Sequence, residues 1–164
     1  MVDMKRILIC STILTTVKAF LIPHIQLLQD MGYIVDIAGQ KDINELDELI
    51  ENVYDLPFQR NPFSKLNIIA SRMLKEIVQR NHYDLIHFHT PVVSAFGRWA
   101  VKNFRKNGTK VIYTAHGFHF FKGSPLINWL LYYPVERWLA RYTDVLITIN
   151  KEDYARAKKF KAKK

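Results

Sequence analysis

A chain of 164 residues, 49% apolar and 24% charged, is long enough to bury a core as one globular domain without disulfides or a structural metal. Its single cysteine, Cys10, excludes a disulfide framework; set in the apolar run 7–10, it reads as a small buried hydrophobe of a reducing, cytoplasmic compartment. Twenty-four Lys and Arg against 15 Asp and Glu give a net charge of +9, which leaves nucleic acid, anionic membrane and phosphorylated small molecules open as partners.

In chain order, a strand over 7–10 leads into an amphipathic helix over 17–31, with Gly32 as its C-cap and a second strand over 33–38. This is a βαβ unit. Acidic 44–51 predicts a short helix, 53–56 a third strand, and Pro57 and Pro62 bracket a loop. Leu66, Ile69, Ala70, Met73, Leu74 and Ile77 then recur at helical spacing, the stripe of a helix packed on a sheet. A strand over 84–89, a helix over 92–104 stopped by Asn107-Gly108, and a strand over 110–115 follow. The segment 126–142 is helical, with Pro134 predicting a kink or two helices meeting there. A last strand over 145–149 and a helix over 152–160 complete the series.

Six strands alternating with helices predict an α/β fold: an open, mostly parallel sheet covered on both faces, with right-handed crossovers. Ligands of such sheets bind beyond the carboxyl ends of the strands, where strand order reverses. The residues there are Ser11, Thr12, Gly39, His89, Thr90, His116, Gly117 and Asn150. No G-x-G-x-x-G follows the first strand, and there is no G-K-[ST] loop and no G-x-S-x-G elbow, which argues against dinucleotide enzymes, P-loop hydrolases and serine esterases. A phospho-receiver domain would need an acidic cluster that the first strand lacks.

The remaining signal is histidine. His87 and His89 alternate on one strand and so share a face, while His116 and His119 flank Gly117 after the next. H-x-H is a known metal-ligand spacing, but such sites recruit a carboxylate or cysteine, and Asp84 lies too early on its strand. His87, between Ile86 and Phe88, reads as a core histidine satisfied by backbone hydrogen bonds. His89 and His116 open onto the crevice, where an imidazole can meet a sugar hydroxyl or a phosphate oxygen. Gly117 reads as a turn that aims His116, and His24 and His82 as incidental.

The stretch YTAHGFHFF over 113–121, with PLINWLLYYPVER over 125–137, resembles the N-terminal half of family 4 retaining glycosyltransferases; the similarity is strongest to the branch building bacterial capsular and extracellular polysaccharides. FLIPHIQLLQDMGYIVDIA and DLIHFHTP fit the same branch. The resemblance implies a GT-B fold, in which a Rossmann-like acceptor-side domain faces a second one that grips a nucleotide sugar. It places His116 at the donor sugar as the catalytic residue and implies no metal and no cofactor; the residues beyond the strand ends, Ser11, Thr12, His89, Thr90 and Gly117, together with His119, are the substrate-binding candidates. Relatives often carry a glycine pair after the first strand; here Ser11, Thr12 and Ile13 stand there. Relatives are also roughly twice as long, and their Glu-x7-Glu donor element is absent, so 1–150 reads as the acceptor-side domain alone, with little transferase activity by itself.

The implied partners are a nucleotide-sugar donor, through the absent half, and a lipid-linked or saccharide acceptor. Trp129, Tyr133, Arg137 and Trp138 mix aromatic and basic side chains on one helix; they read either as core packing or as contacts with anionic membrane at the inner face of the plasma membrane. The alternative function is a non-catalytic module for anionic membrane or polyanion; no dense basic face or nucleic-acid motif is present. The stretch 151–164 holds a net +5, leaving only +4 to 1–150, and reads as a basic helical tail that starts an interdomain link.

Overall fold

The computed structural model describes residues 5–43 and 50–163. Six strands, β1 (Arg6–Ile13), β2 (Ile34–Gln40), β3 (Val53–Asp55), β4 (Leu85–His89), β5 (Lys110–Ala115) and β6 (Val145–Thr148), pair in parallel in the order β3-β2-β1-β4-β5-β6. The chain runs outward from β1 to one edge, then crosses back to lay β4 against β1 and continues to the other edge. The crevice of this Rossmann-like α/β fold therefore opens at the carboxyl ends of β1 and β4.

Side-chain alternation divides the core into two layers. Ile7, Ile9, Val35 and Ile37 pack under Leu14 and Val17 of α1 (Leu14–Phe20) and Ile25 of α2 (Ile22–Asp30). Leu8, Cys10, Ile86, Phe88, Val111 and Tyr113 form the other layer, with Ala70, Leu74 and Val78 of α3 (Leu66–Asn81) and Val93 and Val101 of α4 (Pro91–Val101). Cys10 is fully enclosed, and burial pushes its thiol well above the ordinary range. α4 seats directly on β4 through Gly97, where a Cβ would come 2.2 Å from the Phe88 ring. Among the described residues no helix is long and apolar enough to cross a membrane.

Several elements differ from the sequence expectation. β1 runs on to Ile13, so Ser11 and Thr12 lie on the strand, and Gly39 lies inside β2. The first helix starts at Leu14 and breaks at Leu21 into α1 and α2, because Pro23 lacks an amide and its ring opposes the preceding turn. The stripe on α3 is rotated: Asn67, Ala70, Leu74 and Val78 face inward, while Leu66, Ile69 and Met73 are exposed. The polar Asn67 is drawn inside to tie the preceding loop, accepting from the Gln59 amide at 2.8 Å and donating to the Asn61 carbonyl at 2.8 Å. α5 (Leu126–Leu139) continues through Pro134 as one helix, so two helices do not meet there. Most of the expected helix over 44–51 lies outside the described residues.

The expected tail packs into the same core. α6 (Lys151–Ala157) is capped by Asn150, Asp153 is buried, and Phe160 meets Phe118, Phe120 and Tyr133. The packing has no break at residue 150.

Candidate functional site at the carboxyl edge of the sheet

Thr12 and Thr90 meet where β1 and β4 part. The Thr12 amide donates to Thr90 Oγ1 at 3.2 Å, and the two hydroxyls lie 2.7 Å apart. Thr90 has φ +69°, a costly conformation for a β-branched residue. Pro91 disfavours the helical alternative at position 90, and the Thr12 contacts hold the strained one. On the other side of β1 the register with β2 shifts between Cys10 and Ile13, a bulge at the crevice. Ser11 is fully buried, and among the described residues its hydroxyl has no hydrogen-bond partner; Thr12 is the one that lines the pocket.

The histidines form a chain. The His87 and His89 rings lie 4.1 Å apart on one face of β4, and His89 Nδ1 is 3.1 Å from His116 Nε2. His87 Nε2 pairs with the Thr114 hydroxyl at 2.8 Å, so its partner is a side chain on the next strand and not the expected backbone. Burial, then the neighbouring imidazoles, push His87 down to about 4 and His89 to about 2. Both rings are neutral near pH 7. His24, read from the sequence as incidental, adds the smallest of the electrostatic contributions that lower both rings. With Nε2 engaged by His89, Nδ1 of the exposed His116 ring stands clear of that contact, as a donor in one tautomeric arrangement and an acceptor in the other.

Gly117 follows at φ +134°, with open space where a Cβ would stand. Backbone conformation, not crowding, therefore requires glycine there. The loop is then clamped from α6: the Phe118 amide donates to Asp153 at 3.1 Å, and the Lys122 amide to Glu152 at 2.9 Å. His119 stacks on Tyr132 of α5, ring centroids 4.6 Å apart.

Two pockets flank these groups. One, about 320 Å³, gathers Thr12, Thr16, Arg60, Thr90, His119 and Tyr132. The other, about 370 Å³, is lined by Gly117, His119, Asn150 and Glu152 among others. The structure thus brings Thr12, Thr90 and His119 together in one pocket and pairs His89 with His116; His116 itself lines neither pocket. Arg60 and Thr16 were missed, Arg60 because the loop between Pro57 and Pro62 shows no periodicity. Among the described residues no three donor side chains are grouped as a metal site requires. The four residues read as possible membrane contacts differ in exposure: Trp129 and Tyr133 are half-buried against Phe120, while Arg137 and Trp138 are exposed.

Residues 24–164 match the model of glycosyltransferase family 4. The chain is 48% identical over 156 residues to a Bacillus subtilis (strain 168) protein carrying the name glycosyltransferase EpsD, covering 94% of this chain and 40% of that protein. The chain thus spans well under half the length of the relative it matches. Among solved structures it is similar to the UDP-GlcNAc 2-epimerase of Neisseria meningitidis bound to UDP-GlcNAc: TM-score 0.66, 15% identity, covering 95% of this chain and 43% of that one. It is also similar to MurG of Acinetobacter baumannii, with TM-score 0.56 and 13% identity, covering 90% of this chain and 42% of that one. At these identities the likeness is one of fold.

Proposed function

The chain belongs to glycosyltransferase family 4, and from that membership we propose that it is the acceptor-side half of an enzyme moving a sugar, with retention, from a nucleotide-sugar donor to a lipid-linked or saccharide acceptor in cell-surface polysaccharide synthesis. A second Rossmann-like domain binds the donor across the crevice. The reaction takes place on the cytoplasmic side of the membrane.

The observation that carries the reading is the His89–His116 pair at the carboxyl edge. Transfer passes through a cationic, oxocarbenium-like sugar, whose charge is best met by fixed dipoles in a site with little water. A neutral His89 fixes the His116 ring by one hydrogen bond and leaves Nδ1 to meet a hydroxyl of the donor sugar. The clamped loop from Gly117 holds that ring without reorganisation during the step. The Thr12–Thr90 pocket, with the Arg60 guanidinium, suits the acceptor and its anionic groups. The departing diphosphate is met by cations of the second domain.

The binding-module alternative draws little support from the charge. Arg6 pairs with Asp36, Arg98 with Glu136, Arg105 with Asp144 and Arg156 with Glu152, so these arginines do not build a basic face. The test joins this chain to its natural second half and supplies a panel of nucleotide sugars with lipid-extracted acceptors. The reading expects transfer with the donor's anomeric configuration kept in the product by NMR; inversion, or no transfer from any donor, overturns it.

A further inference from the structure

An apolar groove of about 370 Å³ runs between α4 and α5, walled by Phe63, Phe96, Trp99, Leu131, Val135 and Trp138. All but Phe96 are more than a third exposed, and Phe63, 79% exposed, stands at the lip. That is a large share of oily side chains left facing water, and the volume falls in the range of small-molecule sites. The Arg98–Glu136 pair lies beneath it, bridging the two helices at 2.7 Å and fixing their spacing.

The groove adjoins the polar pocket at the strand ends. Pro91, Val92 and Tyr132 line both, so one wall passes from the aromatic groove to Thr12, Thr90 and Arg60. Among the described residues no carboxylate pairs with Arg60. A guanidinium with no carboxylate partner, in a pocket with the hydroxyl-bearing Thr12, Thr16, Thr90 and Tyr132, is complementary to a phosphate, and the groove beside it is complementary to a hydrocarbon. We propose that the groove between α4 and α5 holds the hydrocarbon chain of a lipid phosphate acceptor, whose phosphate is met at Arg60. This rests on the transferase reading for the word acceptor; the amphiphile's chemistry comes from the two adjoining pockets.

The test reads binding, not turnover, so its failure leaves the transferase reading to be judged separately. Farnesyl phosphate is titrated into this chain while tryptophan emission is followed, since Trp99 and Trp138 wall the groove. Geranyl phosphate, farnesol, inorganic phosphate and phosphatidylglycerol vesicles are the comparisons. Each methylene buried contributes up to about fourfold in affinity, so farnesyl phosphate binds at least tenfold more tightly than geranyl phosphate. Ala95→Phe, which fills the groove, and Leu131→Gln, at an exposed wall position, each weaken farnesyl phosphate at least tenfold; thermal melting confirms that both variants are folded. Arg60→Gln weakens farnesyl phosphate and leaves farnesol unchanged. Equal binding by wild type and both groove variants, or equal affinity for the two chain lengths, overturns the proposal. So does binding to vesicles without binding to farnesyl phosphate, which would make the groove a membrane-facing surface.

Discussion

His89 Nδ1 lies 3.1 Å from His116 Nε2, across adjacent parallel strands whose register places His89 opposite Thr114. The alternation of β4 puts His87 and His89 on one face, and β5 delivers Thr114 and His116 to the same side, so the contact follows from strand geometry. A neutral His89 binds His116 by a single hydrogen bond without adding a charge to the crevice.

That neutrality has a thermodynamic signature. Burial, followed by the neighbouring rings, holds His87 at about 4 and His89 at about 2 in the folded chain, whereas an unfolded histidine titrates at about 6.5. Below about pH 6.5 the unfolded chain binds protons that the folded chain refuses. Their contribution to stability is therefore complete above that pH and is lost on acidification, at up to about 1.4 kcal/mol per pH unit per histidine until the folded values are reached. The urea midpoint falls between pH 7 and pH 5, and His87→Asn with His89→Asn flattens the fall. A midpoint equal at both pH values in the native sequence contradicts the neutral pair. Asp144 does not confuse this window: burial alone would raise it, but Arg105 and the Val111 amide hold it at about 2, so its contribution is lost only below the ordinary carboxylate range.

Thr90 carries a conflict that substitutions separate. Its φ of +69° is strained, costing about 1–3 kcal/mol, and its hydroxyl bonds to Thr12 offset this. Thr90→Ala keeps the strain and loses the bonds, costing about 1–3 kcal/mol. Thr90→Gly loses the bonds and relieves the strain, and stays within about 1 kcal/mol of the native chain by urea unfolding. Glycine destabilising as much as alanine would show that the strain is not there.

Asp153 tests the clamp on the loop that carries His116. It is 3% exposed and accepts from both the Phe118 amide and Asn150. Asp153→Ala leaves a buried amide unpaired and costs about 1–3 kcal/mol, and it lowers transfer by the complete protein more than that loss alone accounts for. Full transfer in a destabilised variant would separate the clamp from the chemistry.

The Arg98–Glu136 pair is expected to matter more by its breaking than by its presence. Arg98 is fully buried, bound to Glu136 at 2.7 Å and to the Ser94 carbonyl at 3.0 Å, with Tyr113 under its guanidinium. Glu136→Ala strands the cation and costs about 3–5 kcal/mol, whereas Arg98→Met with Glu136→Leu recovers most of it. Equal losses in the single and double variants, measured by denaturant unfolding, would contradict this.

The strands, their number and the crevice were legible from the sequence because β-branched runs and turn residues punctuate it. The strand-end positions Thr12, His89, Thr90 and His116 followed from that count. What was not legible depended on contacts across the sheet or on local exceptions: the strain at Thr90, the break before Pro23, the inward Asn67 and the docking of Phe160. Arg60 comes from an aperiodic loop, and no pattern in the sequence points it at Thr12. The α5 aromatics divide between the core and the surface: Trp129 and Tyr133, one turn apart, share the face that meets Phe120, whereas Trp138 lies on another face against Trp99.

The most direct measurement is turnover by the complete protein carrying His116→Ala, compared with the native enzyme at saturating donor and acceptor. Loss of the fixed imidazole lowers kcat by about a hundredfold or more, with the thermal transition little changed because the side chain is exposed. Native turnover in a folded His116→Ala enzyme would contradict the account.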